Sequence, residues 1–436
     1  MANFKIVNKT CGTDSCTVQF DNTSSPADTY NWDFGDGHIS YLRDPIHIYA
    51  KNRDYYIVTL KVINAEASKE NVKTDTVFIF EKSNCQSIGS FSCASELKSG
   101  QMVKDKMGDN NNNYYYFIVQ QPGVAKIELS PVPSGSYTTV SILSEATTNS
   151  SVIKSQYGYP GEAIRFYAGP FSRDTFFIRV ENWNKGNELY GITCTLDQND
   201  PNELNGSFYL ATHLTLGQST SGTMLPLNDQ DYFRFYQPRS GAVDIKISPV
   251  PNLSSNGSMT VTVYKEADQS TNIRTKYGNP GETMSFSVGP LEEGFHYIQL
   301  SAHGESTEKY SITVDMDKYD LNENNNTFSK ATLLTQARGL QATIKSVDDV
   351  DYYRYTATTN GPAIINIDRV PAGLGYLYVE VYKAASSNDR ISYAYYTGEE
   401  AVSLKTVSMA QGQTYYIKIS GYNSESSEPY QINIQQ

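Results

Sequence analysis

The sequence predicts an all-β protein of four β-sandwich domains in tandem, the last three jelly-roll-like, and three observations carry that expectation. Tyr190, Tyr310 and Tyr430 are spaced by 120 residues, and the strands they open (YGITCTLDQND, YSITVDMDKYD and YQINIQQ) are versions of one another. A period this long is a whole domain with its own core rather than a solenoid unit. Each repeat also breaks into short alternating stretches separated by Gly, Pro, Asn and Ser, with no amphipathic helix. In the second repeat these include Ala242–Ser248, Met259–Tyr264, Met284–Val288, His296–Leu300 and Tyr310–Val314. Finally, 34 tyrosines in 436 residues and a charged fraction of only 19% suit sheets whose strands favour aromatic residues.

Taken in chain order, the expected domains are 1–82, 83–198, 199–318 and 319–436. In the first, Phe34-Gly35-Asp36-Gly37 marks a tight turn after a strand ending at Trp32, and Tyr56, Val58, Leu60 and Val62 alternate as a half-buried strand. The WDFGDG run (Trp32 to Gly37), the segment Pro45-Ile46-His47-Ile48-Tyr49 and that alternating strand resemble the PKD-type domain. The resemblance implies an immunoglobulin-like sandwich that serves secreted bacterial proteins as a spacer or binding module. Asp33 and Asp36 read as turn carboxylates bonding neighbouring amides, and His47 as a packed, hydrogen-bonded residue rather than a general base.

The three repeats share further landmarks. SPVPSG (Ser130–Gly135) recurs as SPVPNL (Ser248–Leu253) and DRVPAG (Asp368–Gly373). YGYPGE (Tyr157–Glu162) recurs as YGNPGE (Tyr277–Glu282) and YYTGEE (Tyr395–Glu400). The run Asp197–Thr212 maps without gaps onto Asp317–Thr332, and NDQDYFRF (Asn228–Phe235) onto DDVDYYRY (Asp348–Tyr355). The opening segments Glu203–Phe208 and Glu323–Phe328, with the strands from Asp229 and Asp349, resemble bacterial pre-peptidase C-terminal domains, a group that includes clostridial collagen-binding domains. That resemblance implies calcium in the second and third repeats, held by Glu203, Asn205, Asp229 and Asp231 in one and by Glu323, Asn325, Asp349 and Asp351 in the other. Carboxylate and amide oxygens are the donors calcium takes.

The first repeat departs from this pattern. An offset of 118 places Asn111 and Asn113 at the Asp229 and Asp231 positions, and Cys85 and Cys93 opposite Glu203 and Ala211. The expectation is a calcium-free copy stapled by a Cys85–Cys93 disulfide. Cys11 and Cys16 are a second short-range pair, suited to an oxidising compartment. Cys194 takes the position of Val314 and Ile434, which makes it a buried apolar thiol. No cysteine spacing resembles a zinc site, and the five scattered histidines supply no ligand set.

A net charge of −12 argues against nucleic acid and anionic membrane as partners. No apolar stretch is long enough for a membrane helix, and the amino terminus has no signal-peptide core, so the export route stays open. There is no HExxH, no GxSxG elbow and no Cys–His pair with an oxyanion loop. Glu162, Glu282 and Glu399 recur in solvent-facing turns, so no enzyme is expected. The reading is a non-catalytic extracellular or cell-surface array for binding, adhesion and spacing. Its expected partner is an extended protein or polysaccharide contacted by Tyr376, Tyr378, Tyr393, Tyr395 and Tyr396 of the last repeat. The alternative is an architectural stalk or surface-decoration subunit of a larger bacterial assembly, such as a phage-tail-like particle.

Overall fold

The computed structural model describes residues 2–12, 14–24, 29–51, 55–64, 69–79, 88–107, 111–146, 151–183, 188–254 and 257–436. The chain divides into two compact units, Met1–Asn199 and Asp200–Gln436. All of the regular structure is strand and short 3-10 turn among these residues, arranged as four β-sandwiches.

In the first unit, the amino-terminal sandwich packs a three-stranded sheet against a four-stranded one. The first sheet orders Phe4–Cys11, Ser15–Asn22 and Ile46–Ala50, and the second Ile39–Ser40, Thr29–Asp33, Tyr55–Asn64 and Lys69–Phe78. Alternation does the sorting: along Ser15–Asn22, Cys16, Val18 and Phe20 point inward while Thr17 and Gln19 face water. Phe4 and Phe20 meet Trp32 edge-on or tilted at 5.0 and 5.4 Å, which places the aromatic core between the sheets. The turn after Thr29–Asp33 requires glycine at position 35. Its φ is +77°, and a Cβ there would lie 2.4 Å from the Ile57 carbonyl oxygen. Cys11 and Cys16 are cross-strand partners joined by a disulfide.

The second sandwich of this unit pairs a five-stranded sheet with a four-stranded one. The five run Val152–Gly158, Thr138–Leu143, Asp174–Asn182, Asn112–Val119, Ser95–Glu96; the four run Ile164–Phe171, Gly123–Ser130, Leu189–Asp197, Val103–Lys106. Cys194 is fully buried in its core, and burial pushes the thiol up to about 12. The unit Asp200–Gln436 contains the same five-plus-four arrangement twice, strand for strand. In each copy a short opening strand pairs in parallel with the strand that follows the acidic motif, as Thr212–Leu214 does with Gln230–Gln237 and Thr332–Leu333 with Val350–Thr356. The opening segment is also tied down by backbone: Tyr232 N–H donates to the Asn205 carbonyl and Tyr352 N–H to the Asn325 carbonyl, both at 3.0 Å.

The tyrosine that sets the period has a structural cause. Tyr190, Tyr310 and Tyr430 are buried, and each hydroxyl crosses the core to the same position of the facing sheet: Asn113, Asp231 and Asp351. A buried polar group persists where it is hydrogen-bonded, so strand and partner recur together.

Candidate functional site

In the third repeat, the acidic residues gather beside the opening segment, three of them anchored by backbone amides and one by a tyrosine hydroxyl. Asp320 accepts from Asn322 N–H at 2.9 Å and Thr343 N–H at 3.1 Å. Glu323 accepts from Asn325 N–H at 3.1 Å, and Asp349 from Lys345 N–H at 2.9 Å. Asp351 takes the Tyr430 hydroxyl. One carboxylate oxygen from each of Asp320, Glu323 and Asp351 lies within 4.8 Å of the others. After these bonds, Glu323 Oε1, Asn325 Oδ1, Asp349 Oδ1 and Asp351 Oδ1 remain buried without a partner.

Nearby cations are occupied elsewhere: Arg239 donates to the Asp317 and Asp320 carbonyl oxygens at 2.6 and 2.9 Å, and Lys345 pairs with Asp244. Burial, reinforced by Glu323, therefore pushes the Asp320 carboxyl up to about 7. Asp349 and Asp351 are raised well above the carboxylate range, by burial first and then by their acidic neighbours. Unpartnered hard oxygens and mutually repelling carboxyls are a donor set that fits a divalent cation.

The second repeat carries the equivalent group. Asp229 is pushed up to about 8 by burial and then by Glu203, while burial followed by Asp229 and Asp200 raises Asp231. Asn205 is buried at the position of Asn325. Sequence reading named Glu203, Asn205, Asp229 and Asp231, with their counterparts Glu323, Asn325, Asp349 and Asp351, and missed Asp200 and Asp320. The missing signal lies in the repeat itself, where DQND and DKYD end on the same aspartate.

The first repeat replaces this chemistry. Asn113 is fully buried and donates to the Tyr190 hydroxyl at 2.5 Å and to the Lys106 carbonyl oxygen at 2.7 Å. The neutral amide thus keeps the cross-core bond without charge. Asn111 opens the same strand just before Asn112–Val119. One correction concerns register. The 3-10 turn Phe91–Cys93 stands where Phe208–Leu210 does, which puts Cys93 opposite Leu210 rather than Ala211. Tyr114 N–H donates to Ile88 O at 2.8 Å, so the apolar Ile88 takes the Asn205 place. The offset is therefore 117 in the opening segment and 118 in the strand. Cys93 is disulfide-bonded; Cys85, its expected partner, lies outside the described residues.

Of the five tyrosines expected to bind ligand, Tyr376, Tyr378 and Tyr395 come together, and Tyr422, missed in the sequence, completes the group. Ring centroids lie 5.8 Å apart for Tyr376 and Tyr395, and 6.0 Å for Tyr378 and Tyr422. Tyr393 stands apart beneath Arg390, 4.7 Å from its ring centroid. Tyr396 packs against the sandwich core instead of joining the outer face.

The first repeat builds the same face from the same positions. Tyr137 precedes Thr138–Leu143 as Tyr376 precedes Leu377–Tyr382; Tyr157 pairs with Thr139 as Tyr395 does with Tyr378; Trp183 follows Asp174–Asn182 as Tyr422 follows Thr414–Gly421. Its rings contact at 6.0 Å (Tyr137 and Trp183) and 6.2 Å (Tyr137 and Tyr157), and all three are exposed. In the second repeat the positions hold Ser258, Tyr277 and His303.

Residues 3–79 match the family model for the PKD domain, and this segment is a PKD domain heading an array of β-sandwiches. The chain is also 24% identical, over 225 residues, to Collagenase ColA of Clostridium perfringens (strain 13 / Type A). That match covers 49% of this chain and spans only 20% of the collagenase. Among solved structures, the PKD1 domain of Vibrio anguillarum Epp is 24% identical with a TM-score of 0.14, covering 18% of this chain and 90% of that one. A carbohydrate-binding module of the β-sandwich superfamily is 12% identical with a TM-score of 0.16, covering 72% of this chain and 96% of its own. No helix among the described residues is long and apolar enough to cross a membrane.

Proposed function

We propose that the chain is a non-catalytic extracellular array, a PKD domain followed by three pre-peptidase C-terminal-type sandwiches, that binds an extended ligand through aromatic faces on its first and third repeats. The observation that carries this reading is the recurrence of one aromatic cluster. Tyr137, Tyr157 and Trp183 in the first repeat match Tyr376, Tyr395 and Tyr422 in the third. Core packing explains neither cluster, because these rings are exposed. Clustered exposed aromatics offer broad apolar contact with polar tips at low entropic cost, which suits a long repetitive ligand.

Calcium belongs to the same reading. Asp320, Glu323, Asn325, Asp349 and Asp351 would hold one ion, and Asp200, Glu203, Asn205, Asp229 and Asp231 another. The ion supplies the positive charge that the buried carboxylates lack, and it fixes the opening segment to the sandwich.

The similarity to part of a collagenase makes fibrillar collagen the first ligand to test, with insoluble polysaccharides as the second. Co-sedimentation of the full chain with each identifies the class. Trp183→Ala and Tyr395→Ala are expected to reduce co-sedimentation, and Tyr277→Ala, whose ring has no aromatic neighbour among the described residues, to leave it unchanged. Undiminished co-sedimentation of the Trp183→Ala/Tyr395→Ala double variant would remove the aromatic faces from the reading.

A further inference from the structure

The PKD domain contains a second cluster of ligating side chains, unconnected with the acidic groups of the repeats. The turn after Thr29–Asp33 belongs to one sheet and the strand Ile46–Ala50 to the other, and they meet at Asp36, His38 and His47. His47 Nε2 lies 2.7 Å from Asp36 Oδ2, and His38 Nδ1 lies 3.3 Å from Asp36 Oδ1. One ligand atom from each of the three falls within 4.8 Å of the others.

Two of the three are held before any ion arrives. The His47 ring is stacked on Phe34, centroids 4.1 Å apart and planes 3° from parallel, with Tyr49 edge-on at 4.5 Å. Asp36 is fixed by the His38 backbone N–H at 3.1 Å. Beside them the Tyr49 hydroxyl is buried without a hydrogen-bond partner, near enough to Asp36 that the carboxylate's charge adds to burial in raising it. His38 is the exposed member, its side chain 73% accessible, which leaves its ring open to an ion arriving from solvent.

We propose that Asp36, His38 and His47 form a binding site for a borderline divalent transition-metal ion, with Zn2+ as the ion to test. Two imidazoles and one carboxylate are a nitrogen-rich set that zinc accepts and calcium does not favour. Donors around a tetrahedral zinc sit about 3.3 Å apart, given zinc–ligand bonds of about 2.0–2.1 Å. The two histidines face different oxygens of Asp36, so one ion would draw together the three ligand atoms that now lie within 4.8 Å of one another, a closure of at most about 1.5 Å. An imidazole ligates through a nitrogen that carries no proton, so the ion would replace the hydrogen bond between His47 and Asp36. Scattered along the chain, the histidines give no spacing signal, because it is the meeting of two sheets that gathers them.

The test is calorimetric titration of ZnCl2 into the full, metal-stripped chain with calcium kept saturating, so that the acidic groups do not compete. Uptake of one Zn2+ is expected. His38→Ala should weaken it at least about tenfold, the lower bound seen when even indirect partners of a metal are lost. His213→Ala, an exposed histidine of the second repeat, should leave it unchanged. Because His38 is exposed, its loss spares the fold, which a melt in calcium checks. Co2+ in place of Zn2+ should give visible ligand-field bands that vanish in His38→Ala. No uptake, or uptake indifferent to His38→Ala, overturns the assignment.

Discussion

Stripping the divalent ion should make the stability of the third repeat fall as pH rises, the reverse of ordinary acid denaturation. An unfolded aspartate ionises near 3.8, whereas folded, metal-free Asp320 keeps its proton to about 7. Between those values the unfolded chain releases a proton that the folded chain retains, so unfolding is increasingly favoured. Resistance to unfolding is therefore greatest below about pH 4 and is lost progressively up to about pH 7. At 1.36 kcal/mol per tenfold change in proton affinity, the loss for Asp320 alone approaches about 4 kcal/mol. Asp349 and Asp351 act in the same direction, but the group shares its charge and the contributions do not add. Calcium bound at this group, as proposed, would hold the ionised form and remove the slope, so its stabilising effect should be far larger at pH 8 than at pH 5. Urea melts of the full chain in chelator and in calcium, at both values, give the comparison. Titrations in buffers of different ionisation enthalpy should also show protons released as calcium binds. An equal calcium effect at pH 5 and pH 8, or no proton release, would refute the reasoning.

Asp351→Asn copies into the third repeat what Asn113 does in the first. It should stabilise the chain in chelator by about 1–3 kcal/mol, by relieving a buried carboxyl that lacks a cation, and abolish the calcium response of that repeat, both read from the same melts. Gly35→Ala places a Cβ against the Ile57 carbonyl oxygen at positive φ. It should cost the PKD domain about 2 kcal/mol or more, seen as earlier exposure of Trp32 fluorescence in urea.

The fold was largely legible because a 120-residue period leaves every strand and turn written three times over. The acidic positions were legible for the same reason, with Asp200 and Asp320 lost because the ends of DQND and DKYD read as a connection between domains. The register slip between Ile88 and Asn113 was not legible. A single alignment offset hides a one-residue change between two segments that each align well. Tyr422, Trp183 and Tyr137 escaped because their cluster is assembled from three strands, and adjacency across a sheet leaves no mark in local spacing. The same reason hid His38 beside His47.

The acidic group and the aromatic face vary independently among the repeats. The first keeps the face and has lost the acids, the second keeps the acids and has lost the face, and the third has both. In the third, the two are joined by a single register row: Val350 pairs with Ser420, Ser420 with Tyr378, and Tyr378 with Tyr395. Val350 immediately precedes Asp351, so whatever frays the start of that strand loosens the row that carries the tyrosines. The corresponding row in the first repeat, from Asn112 through Glu181 and Thr139 to Tyr157, begins beside a neutral, fully hydrogen-bonded Asn113. Chelation should therefore weaken ligand binding through the third repeat and spare the first. Trp183→Ala leaves binding to the third repeat, and its co-sedimentation should become sensitive to chelator. Tyr395→Ala leaves binding to the first, and its residual co-sedimentation should be the same with or without calcium. Equal chelator sensitivity in the two variants would show that calcium acts on the ligand or on the whole array, and not through this row.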